Sequence, residues 1–320
     1  MRITALCGGV GGAKLALGLQ HAASELSLIV NTGDDFVFKG LPICPDIDTV
    51  MYTLSGKANL AQGWGRADES FAVRDEWRAL GDEAWFTLGD RDIALHLLRL
   101  SALSEGRGLA QVTADLVRRL GVTAQVVPMC EESCPTIVET DEGRLAFQDY
   151  FVRLRCMPRV TGITFGGRGQ NASQSALEAL ERAEALIICP SNPLLSIAPI
   201  LAIGSIATAL CNRRVPALAV SPIVAGSAVK GPTAKIFAEL GIEVSALSVA
   251  RHYAGLIDML VIDEHDAPQI PAIAALGIRA VVAPTLMTSL DDRVALARTC
   301  LSLLGGWRDL RTGGPGHKTS

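Results

Sequence analysis

At 320 residues the chain is long enough for one large α/β domain, or for one domain carrying an inserted subdomain. A formal net charge of −4, a pI near 5.8 and the lack of any Lys/Arg-rich stretch argue against nucleic-acid binding. Mean hydropathy is high, at +0.32, but the longest apolar run, around residues 215–229, is broken by Pro216, Ser221, Pro222 and Gly226 and is too interrupted to span a bilayer.

Residues 3–7 read as a buried strand, residues 13–23 as the helix after it, and residues 26–30 as a second strand ending at Asn31. The first apolar run ends in glycine before a secretory hydrophobic region could form, and most of the eight cysteines stand alone among apolar neighbours. The expectation is a cytoplasmic protein with free thiols. From residue 46 to 120 the pattern turns largely helical. Residues 124–128 and 136–140 are strand-like, and Asp141-Glu142-Gly143 makes a turn into a returning stretch at 144–148, so a hairpin is expected. Strand candidates at 186–189, 217–220, 259–262 and 279–283 alternate with helices. Such alternation implies a doubly wound, Rossmann-like α/β fold with a mainly parallel sheet. It covers residues 1–304, with a helical and hairpin insertion at about 46–165, and residues 305–320 read as a disordered tail.

Polar loops punctuated by Gly or Pro follow several strands, and open parallel sheets bind ligands at that end. The first is Gly8-Gly9-Val10-Gly11-Gly12-Ala13-Lys14. It fits neither the dinucleotide fingerprint nor the Walker loop, yet a Gly-rich strand-to-helix turn with a lysine suits phosphate oxygens. A tight turn without a ligand is the competing reading. Asn31-Thr32-Gly33-Asp34-Asp35 and Pro45-Asp46-Ile47-Asp48-Thr49 bring four carboxylates into two neighbouring loops, where a hard divalent cation could be held. In extended backbone Asp46 and Asp48 would point the same way; Asp48 could equally cap a helix. Asp34 and Asp35 could be a solvated turn. Leu88-Gly89-Asp90-Arg91-Asp92 opens a helix, leaving Arg91 between two carboxylates that would orient its guanidinium, while Asp90 or Asp92 could simply cap. Pro190-Ser191-Asn192-Pro193, Ser221-Pro222 and Lys230, just before Pro232, complete the candidates. The five histidines form no triad, and His96 reads as a packed residue.

Taken in order, these motifs together with Phe147-Gln148-Asp149-Tyr150-Phe151 resemble the 2-phospho-L-lactate transferase family of deazaflavin coenzyme (coenzyme F-420) biosynthesis, from residue 3 to about 304. The resemblance implies a reaction. A three-carbon acid, phospholactate or phosphoenolpyruvate in type, joined to GMP through a diphosphate is transferred to the ribityl hydroxyl of the deazaflavin FO, with release of GMP. It implies magnesium held by Asp46 and Asp48; a carboxylate of Asp34, Asp35 or Asp48 near the ribityl hydroxyl could orient it or accept its proton. The glycine loop and Lys14 would lie on phosphates, the Ser191-Asn192 and Ser221 loops on guanosine, and Arg91 on the deazaflavin. A homodimer is also implied. Two alternatives are a non-catalytic nucleotide-sugar-binding regulator of a related superfamily and an NAD-dependent oxidoreductase, the latter weakened by the failed dinucleotide fingerprint.

Overall fold

The computed structural model describes residues 1–228 and 232–307. Its centre is a sheet of β1 (Arg2–Cys7), β2 (Glu25–Val30), β3 (Gln125–Pro128), β4 (Ala185–Ile188), β5 (Ala217–Val220), β6 (Met259–Ile262) and β7 (Arg279–Val282). Every pairing is parallel, and the order is β3-β2-β1-β4-β5-β6-β7. All four residues of β4, β5 and β6 are buried. Such unbroken apolar runs, free of polar alternation, belong to a sheet covered on both faces. Along β1, Ile3, Ala5 and Cys7 enter the core on one face while Leu6 enters the other, as the two-residue pleat requires.

Helix α1 (Gly9–Ala22) packs between α2 (Pro45–Leu54) and the last helix, Leu290–Gly305. Gly18 allows this approach, since a Cβ there would lie 2.1 Å from the Arg293 carbonyl oxygen. Between β2 and β3 come an antiparallel hairpin, Phe36–Phe38 with Leu41–Ile43, then α2, α3 (Ala72–Ala79), α4 (Asp90–Ser104) and α5 (Leu109–Arg119). Between β3 and β4 lies a three-stranded antiparallel sheet of Thr136–Thr140, Gly143–Ala146 and Val160–Phe165.

The doubly wound reading therefore holds, with corrections of detail. Gln125–Pro128 pairs with β2 in the main sheet, so the stretch expected as one insertion is two, divided by β3. The expected hairpin gains a third strand. The hairpin at 36–43 was not anticipated, because its strands are only three residues long and carry no alternation. The last helix runs to Gly305, and the remainder of the expected tail, 308–320, falls outside the described residues. Among the described residues, no single helix is long and apolar enough to cross a membrane.

Candidate functional site

Sheet order reverses between β1 and β4, and the loops leaving these strands diverge to opposite faces. Such a switch point leaves a crevice at the carboxyl ends of the strands. Here it is a cavity of about 660 Å³. Gly8, Gly9, Val10, Gly11, Lys14, Asp34, Asp46, Asp48, Thr49, Ser191, Asn192, Ser221 and Pro222 all line it. Gly12, Asn31, Asp35, Asp90, Arg91 and Pro193 do not. Lys230 lies outside the described residues.

The glycine segment differs from the expected loop. Only Gly8 separates β1 from α1, and Gly9 to Gly12 form the helix's first turn. Gly9 has φ +62°, in the left-handed region that glycine tolerates. A Cβ on Gly11 would lie 2.5 Å from the Pro190 carbonyl oxygen, so glycine here lets α1 approach the loop after β4. The Gly8 N–H donates to Ser191 Oγ at 3.1 Å and the Gly9 N–H to Asp46 Oδ1 at 2.7 Å. Val10 and Gly11 follow in the first turn, whose amides precede any intrahelical acceptor, and both residues line the cavity. Lys14 sits in the second turn, and its ammonium donates to the Met287 carbonyl at 2.9 Å.

Asp46 and Asp48 correct the expected extended pair. Both belong to the first turn of α2, where residues two apart diverge instead of aligning. Asp46 turns toward α1 and also accepts from Asn31 Nδ2 at 2.9 Å. The same amide donates to Asp34 Oδ1 at 3.2 Å, and Gln148 Nε2 lies 3.5 Å from Asp34 Oδ2. Asn31, fixed in turn by the Gly33 N–H, thus bridges two buried carboxylates instead of lining the cavity. Burial pushes Asp46 up to about 6. Burial first, then the charges of Asp46 and Asp35, raise Asp34 well above the usual carboxylate range. Asp34 is therefore no solvated turn residue, and Asp35, held up chiefly by burial, has a buried Oδ1 with no hydrogen-bond partner.

Asp48 turns away to Arg99 on α4. The guanidinium is fully buried and grips both carboxylate oxygens, through Nη2 to Oδ1 and through Nη1 to Oδ2 at 3.1 Å. Its Nη1 also donates to His96 Nδ1 at 3.0 Å and to the Pro42 carbonyl at 3.2 Å. Burial opposes the Arg99 charge and Asp48 overrides that, so the guanidinium is held more firmly protonated than usual. Burial pushes His96 down to about 4, leaving it a neutral acceptor. The packed-residue reading of His96 holds, and the ring also lines the cavity.

The carboxylates beside Arg91 do not orient it. Asp90 accepts from Ser70 Oγ and from the N–H groups of Ala72 and Val73, which caps α3. Asp92 accepts from Tyr52 Oη. Glu69 takes the N–H groups of Arg91 and Asp92, and the Arg91 side chain is exposed.

Sequence reasoning missed Arg99, Tyr52, Glu69 and the aromatic wall. Arg99 could have been noticed as a lone cation in the run Leu97-Leu98-Arg99-Leu100, three residues after His96. Trp64, Trp85 and Phe86 line the cavity from the first insertion, and Phe147 and Phe151 from the second. Phe86 meets Phe36 edge-on at 4.9 Å, while Phe147 and Phe151 stack at 5.4 Å and 12°. Such flat apolar surfaces suit a planar ring.

A divalent cation fits part of this acidic group. Asp34 and Asp46 are both buried and are drawn together on the single Asn31 amide. Asp48 is already neutralised by Arg99 and does not fit as the second ligand. Among the described residues no group of three or more His, Cys, Asp or Glu is arranged to hold a metal ion, so a cation on these two carboxylates would take the rest of its shell from water or substrate oxygens, as magnesium commonly does.

Residues 3–275 match the sequence profile of the family described as 2-phospho-L-lactate transferase CofD. The chain is 42% identical over 312 residues to a phosphoenolpyruvate transferase of Streptomyces griseus, covering 95% of this chain and 98% of that one. Against a 2-phospho-L-lactate transferase of Methanosarcina mazei it is 37% identical over 293 residues, covering 91% and 96%. Among solved structures, a UPF0052 family protein of Bacillus halodurans is similar with a TM-score of 0.61 at 15% identity, covering 94% of this chain and 98% of that one, a likeness of fold alone.

Proposed function

The chain belongs to the 2-phospho-L-lactate transferase CofD family and is a transferase, and from that premise we propose its reaction. It moves a phosphorylated three-carbon acid from a GMP-diphosphate donor to the ribityl hydroxyl of the deazaflavin FO and releases GMP. The observation that carries this reading is the cavity's construction. The first turn of α1 and the loops after β4 and β5, aromatic residues of both insertions, and buried carboxylates all line the same cavity. That suits a charged diphosphate donor held beside a second substrate with a flat ring system.

The chemistry asks mainly for positioning and charge neutralisation, because phosphoryl transfer needs little covalent help. Val10 and Gly11 N–H groups would take diphosphate oxygens. The 190–192 and 221–222 loops would hold the guanosine side. The aromatic walls would clamp the deazaflavin, with Arg91 reaching its polar edge from the rim. Asp34 and Asp46 would hold magnesium, which when bound offsets charge on the diphosphate and the departing GMP.

Phosphoenolpyruvate is the proposed acid, since the relatives at 41–42% identity bear the name phosphoenolpyruvate transferase. Mass spectrometry of the product formed from FO with each guanylylated acid tests this. Faster turnover of the phosphoenolpyruvate donor is expected, and a preference for the phospholactate donor would reverse the assignment. Nucleotide binding without product from either donor is what the regulator reading predicts.

A further inference from the structure

Helices α2 and α4 face each other through two rungs of polar side chains. Asp92, His96 and Arg99 recur along one face of α4, at the i, i+4, i+7 spacing that aligns residues on a helix. Asp48 and Tyr52 recur on α2 in the same way. Arg99 pairs with Asp48 and Tyr52 with Asp92, so the two helices run antiparallel at this contact. The rungs differ in chemistry. Arg99 occupies both oxygens of Asp48 in an ion pair. Tyr52 supplies a single hydrogen bond, to Oδ1 of Asp92, and no hydrogen bond among the described residues reaches Oδ2. Asp92, Tyr52 and Asp48 all line the cavity.

We propose that Asp92, oriented by Tyr52, is the group that accepts the proton of the acceptor alcohol, while Asp48 serves as a fixed, Arg99-bound charge. This rests on the transferase reading above. In the step, the alcohol O–H bond breaks and its oxygen bonds to the donor phosphorus. The bond from that phosphorus to the GMP oxygen breaks, its electron pair leaving on GMP, and the proton passes to Asp92 Oδ2. The other carboxylates are worse placed: Asp46 and Asp34 are engaged by Asn31, and Asp35 does not line the cavity.

The surroundings suit a base that works near neutrality. Burial pushes Asp92 up to about 7, against the lowering effect of the Tyr52 hydrogen bond. The charges of Asp48 on α2 and of Glu69 in the loop between α2 and α3 raise it further, and Arg66 in that loop lowers it. His96, one turn along α4, is neutral throughout this range.

The test is single-turnover transfer to FO, measured as GMP release across the neutral pH range, in wild type, Asp92→Asn and Tyr52→Phe. Wild type should show a rate that rises through an acid limb near pH 7 and then levels. Asp92→Asn should lose that limb and about 10²-fold or more in rate, with circular dichroism and GDP affinity unchanged. Tyr52→Phe should keep a limb displaced to higher pH, because the hydrogen bond that holds Asp92 down is gone. It also guards against misfolding of the Asn variant, since only the phenolic oxygen is removed. A limb retained in Asp92→Asn with a rate close to wild type overturns the assignment alone, as does an unmoved limb in Tyr52→Phe. Wild-type protein that releases no GMP with FO overturns the transferase reading, and the proposal falls with it.

Discussion

Among single residues, Arg99 contributes most to the site for the least signal in the sequence. A fully buried guanidinium bound to a buried carboxylate is a pair whose halves are costly to separate. Arg99→Met should therefore destabilise the protein by about 3–5 kcal/mol in urea titration, since Asp48 is left as an uncompensated buried charge. Adding Asp48→Asn should recover part of that loss. A single variant with an unchanged midpoint would mean that the pair is not formed. Asp46 gives a second expectation, in pH. Its folded-state affinity for a proton is raised to about 6, so the protonated form favours folding. That contribution is complete below the ordinary carboxylate value and is lost as pH rises through about 6. Magnesium binds only the carboxylate form, so it competes with the proton. The gain in Tm on adding magnesium should be large at about pH 7.5 and small at about pH 5; equal gains at both would exclude Asp46 from the cation site.

Among the elements, α1 depends on glycine for reasons a helix propensity scale does not contain. Alanine at position 18 would favour the helix in isolation by about 1 kcal/mol. In the fold its Cβ would meet the Arg293 carbonyl of the last helix at 2.1 Å. Gly18→Ala should then cost about 1–3 kcal/mol by overpacking, read as a lower urea midpoint, and a stabilised variant would contradict the close packing of these helices. The second insertion makes the opposite kind of prediction. Phe151 is 39% exposed and stacks on Phe147 at the cavity wall. Phe151→Ala should change stability by less than about 1 kcal/mol, yet raise KM for FO about fivefold, the equivalent of one aromatic contact. KM for the guanylylated donor should stay put. A rise in donor KM alone would move the ring site elsewhere.

The strands were legible because a doubly covered parallel sheet writes itself as apolar runs, and the runs at 217–220 and 259–262 coincide with β5 and β6. The first turns of α1 and α2 were not. Gly9 to Gly12 read as loop by composition, and their helical form is supported by Ser191 and Asp46, which are remote in sequence. Pro45-Asp46-Ile47-Asp48 read equally as extended loop or helix start, and only packing against α1 decides.

For the molecule as a whole, the order β3-β2-β1-β4-β5-β6-β7 is what joins three loops and two insertions into one site. The sequence marked those loops by their Gly, Pro and acidic residues, and most of them do line the cavity. It could not mark Arg99, Tyr52 or the aromatic residues, since a lone arginine in a leucine run and scattered rings acquire meaning only when two insertions meet beside the carboxyl ends of the central strands. Whether that site transfers to FO, or only binds nucleotide, is decided by a time course of GMP release from guanylylated phosphoenolpyruvate with FO supplied or withheld. The transferase reading predicts one GMP for each FO consumed and none in its absence. GMP formed at the same rate without FO, or nucleotide bound with no GMP formed at all, would contradict it.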